Sequence, residues 1–99
     1  MALVMRTSPP EVNKAGEKRW YIGDLDQHMK KVFLHESTCE QRQATGCKRF
    51  MVCTYTHHGE CLTRQFFRYK RQVNMHLGRL FKVDQVELGE WSEPLKQAA

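Results

Sequence analysis

Residues 48–69 constrain the fold more than any other stretch, because two strand-like runs flank a single short break. Residues 48–56 hold Phe50, Val52, Thr54, Tyr55 and Thr56, and residues 61–69 hold Thr63, Phe66, Phe67 and Tyr69. Aromatic and β-branched side chains of this density suit a pleated, half-buried surface. Between the runs stands His57-His58-Gly59-Glu60, a break of hairpin length with a glycine to take the turn. A loop of two, three or four residues fits equally well, so the sequence leaves the register open. An isolated hairpin is at best marginally stable in water, so the rest of the chain must supply partners.

Partners are present on both sides. Lys18-Arg19-Trp20-Tyr21-Ile22 reads as a strand that stops at Gly23-Asp24. Residues 29–37 alternate, with Val32 and Leu34 on one side and Lys31, Phe33 and His35 on the other. A helix over 24–34 competes there, since it would align Leu25, Met29 and Val32. Residues 72–79 suit a short helix through Val73, Leu77 and Leu80, and residues 80–89 alternate well enough for a last strand, with Trp91 closing over the core. The expected fold is mainly β: a single small antiparallel sheet or barrel of about five strands, at 17–23, 29–37, 47–56, 61–71 and 80–89. The alternative is α+β, with short helices at 24–34 and 72–79 on an antiparallel sheet.

With 99 residues there is room for one domain and one modest core. Residues 1–16 contain Ser8-Pro9-Pro10, Asn13 and Gly16 without periodicity and are expected to form a flexible arm. Residues 17–91 form the expected globular domain, and 92–99 a flexible tail. No internal repeat or low-complexity tract interrupts this plan.

The net charge of +5 is unevenly spread. Residues 1–40 carry six basic and six acidic side chains, whereas residues 41–83 carry nine basic side chains and the single acid Glu60. Residues 84–99 reverse the sign, with four acids against Lys96. Concentrated positive potential favours an anionic partner: single-stranded DNA or RNA, or an acidic protein.

A row of side chains sharpens that expectation. Strand alternation puts Arg64, Phe66, Arg68 and Lys70 on one face, and Cys61, Thr63, Phe67 and Tyr69 on the other. Guanidinium groups in such a row pair with phosphates while the ring stacks on a base. With a two- or four-residue loop, Arg49 would stand opposite Arg68, and Arg71 extends the basic run. The candidate nucleic-acid-binding residues are therefore Arg49, Arg64, Phe66, Arg68, Lys70 and Arg71. The competing reading makes Phe66 a core residue with the cations' stems packed over it. The alternative function is a protein-interaction or self-associating domain with no nucleic-acid role, its interface closed by residues such as Phe33, Phe66 or Trp91.

Other chemistries find little support. The six glycines are dispersed, and neither G-x-S-x-G nor H-E-x-x-H occurs, so the chain is not expected to be an enzyme or to need a cofactor. Cys39, Cys47, Cys53 and Cys61 are spaced too widely for the close ligand pairs of structural zinc sites, and no bound metal is expected. Met1 to Met5 is too short an apolar run for a signal peptide, and no stretch is long and apolar enough for a membrane span. A cytoplasmic location, or a nuclear one, follows as the expectation, with reduced thiols.

Overall fold

The computed structural model describes residues 3–37 and 48–89. Two hairpins make the centre of the molecule. Strands β3 (Lys18–Leu25) and β4 (Lys30–Glu36) pair antiparallel, as do β5 (Phe50–Thr56) and β6 (Cys61–Phe67), and β4 pairs with β5. Short strand β2 (Glu11–Val12) adds to the free side of β3. The result is one five-stranded antiparallel sheet in the order β2-β3-β4-β5-β6. It stays open at β2 and β6, so the barrel form of the expectation does not occur.

The two turns differ in how they are built. Between β3 and β4, Asp26, Gln27 and His28 all take positive φ, and the Met29 N–H donates to the Asp26 carbonyl at 3.2 Å. Asp and His tolerate that left-handed region better than β-branched residues do. Left-handed backbone at three successive positions rules out the helix expected over 24–34. Between β5 and β6, Gly59 has φ 92° and the Thr56 N–H donates to the Glu60 carbonyl at 2.8 Å. Thr54 pairs with Thr63 but Tyr55 pairs with Cys61, so Leu62 is an extra residue bulged out of the ladder. That bulge moves Cys61 away from the face that simple alternation gave it.

The chain leaves β6 earlier than alternation suggests. Helix α1 (Lys70–Phe81) begins where the sequence reads as continued strand. The Gln72 side-chain oxygen accepts hydrogen bonds from the Arg68 and Tyr69 N–H groups, each at 3.2 Å, satisfying donors that the helix start leaves open. Lys82 ends α1 in the left-handed conformation, and the Val83 N–H returns to the Gly78 carbonyl at 3.0 Å. The helix therefore spans the expected 72–79 and replaces the first residues of the strand expected at 80–89. What remains of that strand is β7 (Gln85–Glu87), which lies outside the five-stranded sheet.

β7 pairs in parallel with β1 (Val4–Arg6). Two short pieces of the expected arm are thus strands, β1 and β2, tied to the domain by backbone hydrogen bonds. Asp84 reinforces the attachment by accepting from the Leu3 N–H at 2.7 Å. Trp91 and the expected tail at 92–99 lie outside the described residues.

One core fills the space between the sheet and α1. Trp20, Ile22, Val32, Leu34, Phe50 and Val52 come from the sheet, Val73 and Leu77 from α1, and Val86 from β7. Val32 and Leu34 share one side of β4, as its alternation predicts, and that side is the inward one. Gly23 lets α1 approach closely, because a Cβ there would meet the Phe81 ring at 3.2 Å. The Trp20 indole N–H donates to the Gly89 carbonyl at 2.7 Å, satisfying a polar group inside this core. The architecture is mostly β with a single short helix on one side of the sheet.

Candidate nucleic-acid interface

α1 and β7 pack on one face of the sheet, and no described element packs on the other. The register defines what that open face carries. Arg19, His35, Met51 and Phe66 lie side by side across β3, β4, β5 and β6. Beside them run Tyr21, Phe33, Cys53 and Arg64. Lys31, Tyr55 and Cys61 follow, with Asp24 at the β3 end.

Aromatic rings dominate the middle of this face. Phe33 lies 5.4 Å from Tyr21 and 5.7 Å from Tyr55, centre to centre, so three strands contribute one connected aromatic group. Such tilted and edge-on arrangements suit the ring quadrupoles. Cations sit among the rings: the Arg19 guanidinium is 5.3 Å from the Phe33 centre, and the Lys48 ammonium is 5.9 Å from that of Phe66. Phe66 is 51% exposed and Tyr21 47%, which removes Phe66 from the core.

The electrostatics favour an anion across the Arg19–Arg64 part of the face. Arg64 is exposed and, as an arginine, carries its charge at any ordinary pH; its bond to Cys61 shifts its pKa further up. Arg19 bonds to Glu11 at 2.7 Å, but both side chains are substantially exposed. An exposed pair of this kind contributes about 0–1 kcal/mol, so a phosphate can replace it. The face also carries two acids, Glu11 opposite Arg19 and Asp24, the latter held below the usual carboxylate range by the Tyr21 hydroxyl and His28. Burial and the bond to Asp24 in turn push Tyr21 up to about 12.

A cleft of about 510 Å³ opens at the Phe66 end of the face. Glu17, His35, Ser37, Lys48, Met51 and Phe66 line it, with Arg49 and Phe50. Ser37 closes the edge of β4 onto β5, its N–H and hydroxyl donating to the Arg49 carbonyl at 3.0 and 3.2 Å. His35 is held below its usual pKa by burial and by Arg19, so it is neutral near pH 7. Its Nε2 has no hydrogen-bond partner among the described residues.

The residues singled out from the sequence do not form one row. Arg64 and Phe66 share the open face, as alternation implies. Arg68 lies beyond the last ladder pair, Phe50 with Phe67. Lys70 and Arg71 start α1, in the layer on the other side of the sheet, so alternation past Phe67 misplaces them. Arg49 is held by the Glu36 carboxylate through Nε at 2.5 Å and through a second guanidinium nitrogen. Its charge is thereby compensated within the protein. Sequence reasoning named Phe33 for a self-association interface alone and did not single out Arg19, Tyr21, Lys31, Lys48 or Tyr55 for this face. The grouping of Lys31, Phe33 and His35 was readable in β4, but extending it needed the registers to β3 and β5.

Cys53 is buried and Cys61 exposed, and burial pushes the Cys53 thiol above its ordinary pKa. Among the described residues no group of three or more His, Cys, Asp or Glu side chains is placed to hold a metal ion. Cys39 and Cys47 lie outside those residues. Among the described residues no helix is long and apolar enough to cross a membrane. The chain matches no family model, no curated protein and no solved structure.

Proposed function

We propose that the open face of the sheet binds single-stranded nucleic acid. The observation that carries this reading is the aromatic group of Tyr21, Phe33 and Tyr55, left uncovered by the described elements and bordered by Arg19, Lys31 and Arg64. Unstacked bases find ring faces there, and the phosphates between them find cations. An open sheet face with adjoining rings across three strands accommodates unstacked bases better than a stacked duplex, whose bases are already covered.

Self-association through the same face is the competing reading. Two copies meeting face to face would bury two sets of Arg19, Lys31 and Arg64, which outnumber the Glu11 and Asp24 carboxylates of the same face. Like charges without an intervening anion oppose that contact. Exposed Tyr21 and half-buried Phe33 and Tyr55 gain more from a partner that carries its own negative charge.

Amide chemical-shift mapping with an unlabelled single-stranded octanucleotide tests the proposal. The expected perturbations cluster on β3, β4, β5 and β6, centred on Phe33 and Arg64, and spare the exposed side of α1. Perturbations confined to α1, or none at all, contradict it.

A further inference from the structure

We infer that the cleft over Phe33 seats the terminal nucleotide of the bound strand and holds its phosphomonoester between Lys31 and His57. The inference rests on the proposed nucleic-acid reading and adds where the strand ends. The cleft has a volume of about 360 Å³, within the range of roughly 300–1,000 Å³ usual for small-ligand sites. Phe33 and Tyr55 give it aromatic surface, with Arg19 and His35 towards one end and Lys31 and His57 towards the other. Among the described residues no carboxylate lines it. Glu17, by contrast, lines the cleft beside Phe66, and Glu11 and Glu17 line another beside β2. Of these three clefts, the one over Phe33 draws an anion best.

The ladder fixes the order of groups along it. Arg19 stands opposite His35 in the row that continues to Phe66, and its guanidinium is 5.3 Å from the Phe33 centre. Lys31 stands opposite Tyr55 on the far side of the ring, where β5 runs into its turn. The His57 N–H donates to the Met29 carbonyl at 3.1 Å, which ties that turn to the one between β3 and β4. Thr56, His57 and Gly59 of the turn line the cleft, so a strand coming from the Phe66 side has no further sheet face to follow. Its last linking phosphate meets Arg19, its last base stacks on the rings, and its terminal phosphate meets the Lys31 ammonium and the His57 ring. A phosphomonoester carries a charge of about −1.5 to −2 near pH 7, more than the single charge of a linking phosphate, and gains more from this end. Asp24 stands opposite Lys31 but accepts from the Tyr21 hydroxyl and binds the His28 ring at 2.6 Å. Lys31 is exposed, so its attraction to Asp24 is weakened by solvent and the ammonium can turn to a phosphate.

The test measures the affinity of the whole chain for one internally labelled octamer in three forms: without a terminal phosphate, with a 5′-phosphate, and with a 3′-phosphate. One phosphorylated form, the one whose phosphate reaches the turn, is expected to bind about fivefold more tightly than the unphosphorylated strand. The other is expected to stay within about twofold of it. His57→Gln changes an exposed turn side chain and keeps the backbone bond to Met29, and it is expected to cut the advantage to about twofold or less. Arg64→Ala, outside the cleft, is expected to weaken all three forms alike and keep the advantage. Equal affinities for the three forms, an equal gain from either phosphate, or an advantage that His57→Gln leaves unchanged overturns the cleft assignment while the sheet-face reading stands. Failure of all three to bind removes the sheet-face reading, and the cleft with it.

Discussion

Phe66 stands directly opposite Met51 across the β5–β6 ladder, and this pairing puts its ring on the face away from α1. Its neighbour Phe67 stands opposite the fully buried Phe50 and so belongs to the core side. Two adjacent phenylalanines therefore have opposite duties, one open to solvent and one packed inward.

Alanine substitutions separate these duties. Phe50→Ala is expected to cost about 3–5 kcal/mol of folding stability, the usual loss for a large buried aromatic. Phe66→Ala should cost well under that, on the order of 1 kcal/mol, because half of its surface is already in water. Its loss should instead show in binding, at about 1–3 kcal/mol if the ring stacks on a base. Urea unfolding and oligonucleotide titration of the same two variants check both statements.

Much of this arrangement was legible in the sequence, and the rest failed for identifiable reasons. The runs around His57-His58-Gly59-Glu60 do form a hairpin, and Val32 and Leu34 do share one side of β4, although which side faces the core needed the packing of α1. Alternation was extended too far past Phe67, because Tyr69, Lys70 and Arg71 have strand-compatible composition. There Gln72 decides the outcome by accepting the N–H groups of Arg68 and Tyr69. Cys61 changed faces because the bulge at Leu62 has no sequence mark. Residues 4–6 and 11–12 looked irregular because strands of two or three residues show no periodicity. Their partners, β7 and β3, lie elsewhere along the chain.

Gly89 provides a test of how firmly the first residues are attached. A Cβ at this position would lie 2.6 Å from the Pro9 nitrogen and 2.7 Å from the Ser8 carbonyl carbon, contacts that the backbone must move to relieve. Gly89→Ala is expected to destabilise the protein by about 1–3 kcal/mol, the usual cost of overpacking. Hydrogen exchange should quicken first at Thr7 and at Gln85, whose N–H groups bond to Glu87 and Leu3. Unchanged protection at both amides would contradict the attachment.

Acid should weaken the fold through its histidines. Burial and Arg19 hold His35 below its ordinary pKa, and burial and Arg79 do the same for His76. A base with a depressed folded-state pKa binds its proton more tightly when unfolded. Stability is then complete above the unfolded value, about 6.5, and falls as pH drops below it toward the folded values. The expected outcome is a Tm that decreases between pH 7 and pH 5, with a shallower decrease in His35→Gln. Identical slopes in the two proteins would remove His35 from this account.

Tyr21 should titrate late. Burial and its bond to Asp24 push its phenol to about 12. A raised folded-state pKa adds stability that is fully present below the unfolded value near 10 and is lost as pH rises through the folded one. Absorbance near 295 nm, compared between wild type and Tyr21→Phe, should show one tyrosine missing from the last part of the titration. Asp24→Asn should bring that tyrosine back toward 10.

The salt dependence of binding tests the central claim most directly. Fluorescence anisotropy of a labelled single-stranded octamer, titrated at salt concentrations from 20 to 200 mM (about the range in which counterion release is best resolved), gives the slope of log K against log salt. With Arg19, Lys31 and Arg64 each meeting a phosphate, the expected slope is about −2, at roughly −0.7 per contact, and Arg64→Ala flattens it by one such step. A wild-type protein that leaves the octamer's anisotropy unchanged at the lowest salt contradicts the account.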